Sequence, residues 1–148
     1  MVPESLLREQ FKETYEALGR VVDLLHRHKA KQVLVVGTPA PRGRANELRS
    51  YMEREDFFMS EAIRLGIDIS TVRITELSVR ITMWKLIQEM TQEAATTYGA
   101  SFIPAFRASR EADDSLKRKY WNDDSTHANT DYGVVMLENI VSASNASV

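Results

Sequence analysis

Cysteine is absent from the 148 residues of this sequence. Its absence excludes disulfide bonds, thiolate metal sites and a cysteine nucleophile, although it leaves the cellular compartment open. No apolar run approaches the roughly 18 residues of a membrane-spanning helix. The first residues also lack a basic segment followed by an apolar one, so we expect no signal peptide and a cytoplasmic location.

The sequence also lacks a strong excess of charge of one sign. Its 19 Lys and Arg residues against 21 Asp and Glu give a formal net charge of −2. This balance argues against nucleic acid as a partner. Hydrophobic residues make up 43% and charged residues 27%, which is ordinary for a globular protein. The length suits one domain, so we expect residues 1–148 to form a single domain.

Proline is scarce, and two of the four prolines fall in the segment Gly37–Gly43. This segment follows Val33–Val36, an apolar run typical of a strand that is covered on both faces in a parallel sheet. Ligands of open α/β sheets bind beyond the carboxyl ends of strands, where this loop would lie. The loop is therefore either part of a binding site or a simple turn from strand to helix.

Four segments have the apolar spacing of amphipathic helices. They cover residues 3–28, 46–65, about 75–98 and about 134–141. Gly66 and Gly99 stand where glycines that end helices belong. On the last helix we expect an inner side formed by Val134, Val135, Leu137, Ile140 and Val141.

A second strand is predicted at Ser101–Ile103, and short extended segments are predicted within 67–74. Helices thus alternate with strands, which predicts an α/β fold, most simply a three-layer α/β/α arrangement with a parallel sheet. Two clear strands are too few for such a sheet. Further strands must come from residues 67–74 or from outside these residues.

The segment Asn122–Gly133 carries the most chemistry. Asp124 lies three residues before His127, and a carboxylate that accepts a hydrogen bond from Nδ1–H makes a histidine an effective general base. The alternative is a polar turn in which Asp124 and Asn129 cap backbone N–H groups. His26 and His28 are two residues apart and point in different directions on a helix, so we expect no metal site there and no cofactor.

The pattern D-x-x-H-x-N-x-x-G before a terminal helix resembles the last conserved block of the SGNH (GDSL-type) hydrolases. Asp124, His127, Asn129 and Gly133 match that block, whereas the proline that often follows the family's histidine is replaced by Ala128. The resemblance implies an SGNH/flavodoxin-like fold and hydrolysis of an acyl ester, for example deacetylation of a sugar or a lipid. His127 would be the general base and Asp124 its orienting partner.

The family also has a V-V-x-x-P-P segment after its fourth strand, to which the stretch from Val35 is similar. We therefore expect Gly37, Thr38, Pro39 and Asn129 to contact the substrate.

The family's G-D-S serine motif does not occur in this sequence. Three explanations remain open: the chain is the C-terminal part of a longer SGNH protein, a partner chain or second copy supplies the serine strand, or catalysis has been lost. The first two predict an ester hydrolase that is incomplete in this chain. The third predicts a non-catalytic interaction or scaffolding module derived from the hydrolase fold. In each case the missing strands favour a homo-oligomer or a partner chain.

Overall fold

The computed structural model describes residues 3–145. Its helices and strands follow one another as α1 Glu4–Arg27, β1 Leu34–Val36, α2 Ala45–Met52, α3 Asp56–Leu65, α4 Leu77–Thr97, β2 Ser101–Ile103 and α5 Thr130–Asn145. These residues form two compact units. The first unit contains the residues up to Thr38 together with Lys85–Pro104, and the second contains Pro39–Trp84 together with the residues from Ala105 onward.

The first unit holds the sheet. β1 and β2 pair in parallel, with Leu34 opposite Ser101 and Val36 opposite Ile103. The pairing extends by one residue, because the Gly37 N–H donates to the Ile103 carbonyl at 2.8 Å. Helices alternating with a small two-stranded parallel sheet confirm the predicted α/β class, and both strands lie where the sequence places them.

The core of the first unit is formed by small and branched side chains. Val22 of α1 and Ala95 of α4 are fully buried and pack with Val33 and Ala100, which directly precede β1 and β2 at one end of the strand pair. Gly19 permits a close approach, since a Cβ at that position would lie 2.2 Å from the ring of Tyr98. A larger residue at position 19 would therefore prevent α1 from packing against Tyr98.

The prediction of a continuous helix over 46–65 is wrong, because two helices, α2 and α3, occupy that part of the second unit. α2 ends at Met52 and α3 starts at Asp56, with Glu55 in extended conformation between them. The Glu55 carboxylate accepts a hydrogen bond from the Ser125 N–H at 2.6 Å, a contact distant in sequence that accompanies the break. Gly66 ends α3 in the left-handed conformation, as predicted.

Residues 67–74 do not form strands among the described residues, so the prediction of extended segments is wrong. Ile69–Thr71 form a 3₁₀ turn instead. The Asp68 carboxylate caps this turn by accepting a hydrogen bond from the Ser70 N–H at 2.9 Å. The brief alternation of apolar residues reflects this turn rather than a sheet.

The inner side of α5 agrees with the prediction only in part, because Val135 and Ile140 are partly buried. Tyr132 and Met136 are buried, whereas Val134, Leu137 and Val141 are half exposed or more. The Tyr132 ring joins Phe106 and Tyr120 in a cluster whose centroids lie 5.2–5.9 Å apart. This cluster fixes the rotation of the helix, so those three aliphatic residues fall on the opposite side.

Candidate functional site

The Asp124–His127 pair lies in a closed turn that precedes α5. The Asn122 N–H donates to the His127 carbonyl at 3.2 Å, and the Asn129 N–H donates to the Tyr120 carbonyl at 2.9 Å. Trp121, at the start of the turn, is buried, and its indole N–H donates to the Leu116 carbonyl at 2.9 Å. Hydrogen bonds therefore connect the two ends of the turn to each other and to the preceding residues Leu116 and Tyr120.

The Asp124 carboxylate is fully engaged. Oδ1 accepts from the backbone N–H groups of Thr126 at 2.8 Å and His127 at 2.7 Å. Oδ2 accepts from the Asn122 side chain at 2.7 Å and lies 3.1 Å from His127 Nδ1. Burial by itself raises the pKa of Asp124, but the hydrogen bonds, led by those from the His127 and Thr126 N–H groups, outweigh it and hold the pKa well below its usual range. Asp124 is thus a stable carboxylate at neutral pH.

The His127 side chain is 77% exposed, unlike its partner carboxylate. Its Nδ1 lies 3.1 Å from Asp124 Oδ2 and 3.2 Å from Thr126 Oγ1. The first distance is within the range that we expect for a base and its orienting carboxylate. With the ring proton on Nδ1, Nε2 keeps a free lone pair, and this is the arrangement that a general base requires.

The sequence did not single out Arg42, although its side chain binds three backbone carbonyls of the turn. Its guanidinium donates to the carbonyls of Asp124, of Asn122 at 3.2 Å and of His127 at 2.7 Å. Nη2 also lies 3.6 Å from Asp124 Oδ1, and the Arg42 side chain is only 3% exposed. A single buried cation thus binds the backbone on both sides of the Asp–His pair.

Two aromatic rings enclose the Arg42 guanidinium. Its central carbon lies 5.0 Å from the ring centroid of Tyr51 and 5.0 Å from that of Trp121. Burial lowers the pKa of Arg42 while the Asp124 carboxylate opposes that effect, and an arginine stays charged under such conditions. The only sequence signal was an arginine inside a proline-rich loop, and that pattern alone does not reveal a buried side chain.

The backbone around Arg42 is held as well. Arg80 donates to the Arg42 carbonyl at 2.5 Å and to the Gly43 carbonyl at 3.3 Å. The Leu116 N–H donates to the Pro41 carbonyl at 2.9 Å. The segment 41–43 is therefore a fixed base for the arginine.

Asn129 lies beside the pair in sequence but contacts the backbone. Its Oδ1 accepts from the Tyr132 N–H at 3.2 Å, and its Nδ2 donates to the Lys119 carbonyl at 2.8 Å. Both contacts stabilise the start of α5, as a helix cap does. The expected substrate contact of Asn129 remains a prediction.

The other predicted substrate residues are divided between the two units. Gly37 and Thr38 belong to the first unit, and Pro39 begins the second. Gln88 covers Gly37, whose Cβ, if present, would lie 2.0 Å from Gln88 Oε1. The Gln88 amide donates to Thr38 Oγ1 at 3.0 Å. The role of these three residues in binding substrate remains a prediction.

Among residues 3–145, no side-chain hydroxyl is hydrogen-bonded to Nε2 of His127, where the nucleophile of a triad would lie. Ser125 lies in the same turn, but its hydroxyl is buried and its N–H is bound to Glu55. The part of the chain that the structure describes also contains no cluster of His, Cys, Asp and Glu able to hold a metal ion.

Comparison with known proteins adds no relative: no family model, no curated protein and no solved structure matches the chain. In the described range, none of the helices is both long enough and apolar enough to cross a bilayer. Interpretation of the turn therefore depends on its own geometry and on the resemblance of its sequence pattern.

Proposed function

We propose that Asp124 and His127 are the base half of an SGNH-type ester hydrolase site whose serine lies outside this chain. The observation that carries the proposal is the 3.1 Å contact between Asp124 Oδ2 and His127 Nδ1 on an otherwise exposed ring. The exposed side chain, together with the lack of a hydrogen bond to Nε2 among the described residues, supports access of a reacting group to that nitrogen.

In the proposed reaction, Nε2 takes the proton of a serine hydroxyl that another segment or chain supplies. The serine oxygen then attacks the ester carbonyl, and the imidazolium returns its proton to the departing alkoxide. A water molecule, activated in the same way, releases the acid from the acyl-enzyme. Asp124 remains ionised throughout and stabilises the imidazolium, in keeping with its lowered pKa.

The proposal includes a three-layer fold, in which the two parallel strands would be part of a larger sheet. The proposed substrate is the acyl ester of a sugar or lipid. Val36 is partly exposed on β1, which agrees with a sheet face that further elements would cover. Those elements and the further strands would come from a longer chain, from a partner or from a second copy.

Two assays of the 148-residue chain test the missing serine. We expect hydrolysis of a short-chain p-nitrophenyl ester barely above background, because a positioned base without a nucleophile gives little catalysis. We also expect no covalent labelling by a fluorophosphonate probe, which requires an activated serine. Rapid turnover with labelling would show that a serine of this chain is the nucleophile, and the half-site proposal would be wrong.

A non-catalytic interaction module is the second candidate, and the exposed aliphatic residues favour it. Val134, Leu137 and Val141 of α5 and Phe57 and Ile63 of α3 are all at least half exposed. Exposed apolar side chains at helical spacing are typical of surfaces that bind another protein. On either candidate we expect a dimer or complex that buries at least about 1,000 Å². A monomer in light scattering at low concentration, with no partner bound, would contradict this expectation.

A further inference from the structure

We propose that Arg42 is the positioning residue of His127, fixing the tautomer of the imidazole through the backbone of the turn. Its importance for ester hydrolysis depends on the proposed function, whereas its effect on the ring is independent of that function. Arg42 touches no substrate and no reacting atom in this proposal. It acts entirely through Asp124 and the carbonyls around it.

Arg42 binds the backbone of the turn with two nitrogens. Nη1 binds the Asp124 carbonyl, while Nη2 binds the carbonyls of Asn122 and His127. Two of these carbonyls belong to the Asp–His pair itself, and the third lies two residues before Asp124. A planar guanidinium sets their relative positions together, which a lysine ammonium with its single charged atom cannot reproduce.

Arg42 cannot readily move. Its guanidinium packs against the rings of Tyr51 and Trp121, and the side chain is buried. Arg80 binds its backbone carbonyl at 2.5 Å. A group held by packing and by further hydrogen bonds transmits its geometry to the residues that it contacts.

The His127 ring has little other support. Its side chain is 77% exposed, so packing contributes little to its orientation. The ring contacts Asp124 Oδ2 and Thr126 Oγ1 with the same nitrogen, at 3.1 and 3.2 Å. These contacts compete, because a carboxylate can only accept a proton from Nδ1 whereas a hydroxyl can donate one to it. Small movements of the turn therefore decide which tautomer is favoured.

The experiment compares Arg42→Lys with Arg49→Lys in the 148-residue chain. Arg49 is a matched control, since it also donates to two backbone carbonyls, those of Ile69 and Ser70, but in another turn. Two-bond ¹H–¹⁵N spectra at alkaline pH report which ring nitrogen of His127 carries the proton, and His127→Ala assigns the signals. Thermal unfolding is recorded for every variant.

We expect Arg42→Lys to convert a predominant Nδ1–H form into a mixture, as Asp124→Asn should also do, while Arg49→Lys keeps the original form. An unchanged tautomer in Arg42→Lys, despite a lower melting temperature, would show that Arg42 only stabilises the fold and would overturn the proposal. If Arg42→Lys does not fold, Tyr51→Leu replaces it. Tyr51→Leu removes one wall around the guanidinium and should shift the tautomer in the same direction by less, and no shift would overturn the proposal.

These outcomes are separable from a failure of the proposed function. A tautomer that depends on Arg42 in a protein without esterase activity would support positioning and contradict the hydrolase. Esterase activity that requires His127, together with a tautomer insensitive to Arg42, would support the hydrolase and contradict positioning.

Discussion

Two turns of the second unit are built in the same way, and one of them carries the candidate site. In the first, the Asp68 carboxylate binds the Ser70 N–H while Arg49 donates to the carbonyls of Ile69 and Ser70. In the second, Asp124 binds N–H groups at 126 and 127 while Arg42 donates to three carbonyls. Both turns thus combine an aspartate that accepts from backbone N–H groups with an arginine that donates to backbone carbonyls.

The two turns differ in two features that the formation of a turn does not require. Arg42 is buried between two aromatic rings, whereas Arg49 is only partly covered. Asp124 also binds an imidazole, and Asp68 has no histidine beside it. The second turn therefore contains a more rigid support and an added exposed base, and these two features carry the functional interpretation.

The largest difference between the turns should appear in stability. We expect Arg42→Met to lower the free energy of unfolding by roughly 3 kcal/mol or more, because it leaves three part-buried carbonyls and a carboxylate without their cation. Arg49→Met should cost about 1 kcal/mol, as its carbonyls can bind water instead. Urea denaturation followed by circular dichroism measures both variants. Equal losses in the free energy of unfolding would show that the two arginines stabilise the protein by the same amount.

The second largest difference should appear when the free energy of unfolding is measured against pH, because Asp124 and Asp68 should contribute to it by different amounts. The pKa of Asp124 is lowered on folding, so its contribution is present above about pH 4, the pKa of an unperturbed aspartate. That contribution is lost as pH falls towards the lower folded-state pKa. We expect Asp124→Asn to reduce the free energy of unfolding by about 2 kcal/mol at pH 7 and to flatten its decline in acid.

Asp68→Asn is the matched change. The Ser70 side chain and N–H also lower the pKa of Asp68, but this residue is exposed and has no buried arginine near it, so we expect the smaller effect. If both substitutions change the decline of the free energy of unfolding in acid by the same amount, the two aspartates contribute equally and the larger effect expected of Asp124 is refuted.

The smallest effect concerns His127 itself. Because its ring is exposed, His127→Ala should change the free energy of unfolding by less than about 0.5 kcal/mol. Thr71→Ala, which removes a hydroxyl bound to the Asp68 carbonyl at 2.8 Å, gives the matched change in the other turn. A loss above about 1 kcal/mol for His127→Ala alone would assign the histidine a structural role.

The sequence predicted the periodic parts of this protein and missed what depends on distant contacts. α1, both strands and the glycine ends of α3 and α4 follow from apolar spacing and from the conformational freedom of Gly66 and Gly99. The break between α2 and α3 accompanies a contact of Glu55 with Ser125, 70 residues away. Apolar spacing within one segment contains no information about such a contact.

The candidate site was predictable to a similar extent. The spacing of Asp124 and His127 predicted their contact, because three residues are few enough for local geometry to bring them together. Arg42 was not predicted, since its position depends on how the proline-rich loop meets Tyr51 and Trp121. The orientation of α5 was also not predicted. It depends on the contacts of Tyr132 with an aromatic cluster and not on the spacing of the aliphatic residues along the helix.

The most direct test of the half-site is to supply what it lacks. The 148-residue chain would be joined to an N-terminal segment bearing the G-D-S serine motif, or combined with its natural partner, and labelled with a fluorophosphonate to verify that a reactive serine is in place. Ester hydrolysis would then be compared among the joined protein and its His127→Ala, Asp124→Asn and His26→Ala variants. His26 is an exposed histidine outside the turn and serves as the control.

We expect the joined protein to hydrolyse the p-nitrophenyl ester, His127→Ala to abolish that turnover and Asp124→Asn to reduce it by less, with His26→Ala unchanged. Turnover that persists in His127→Ala at the rate of the parent protein would contradict the assignment of His127 as the general base.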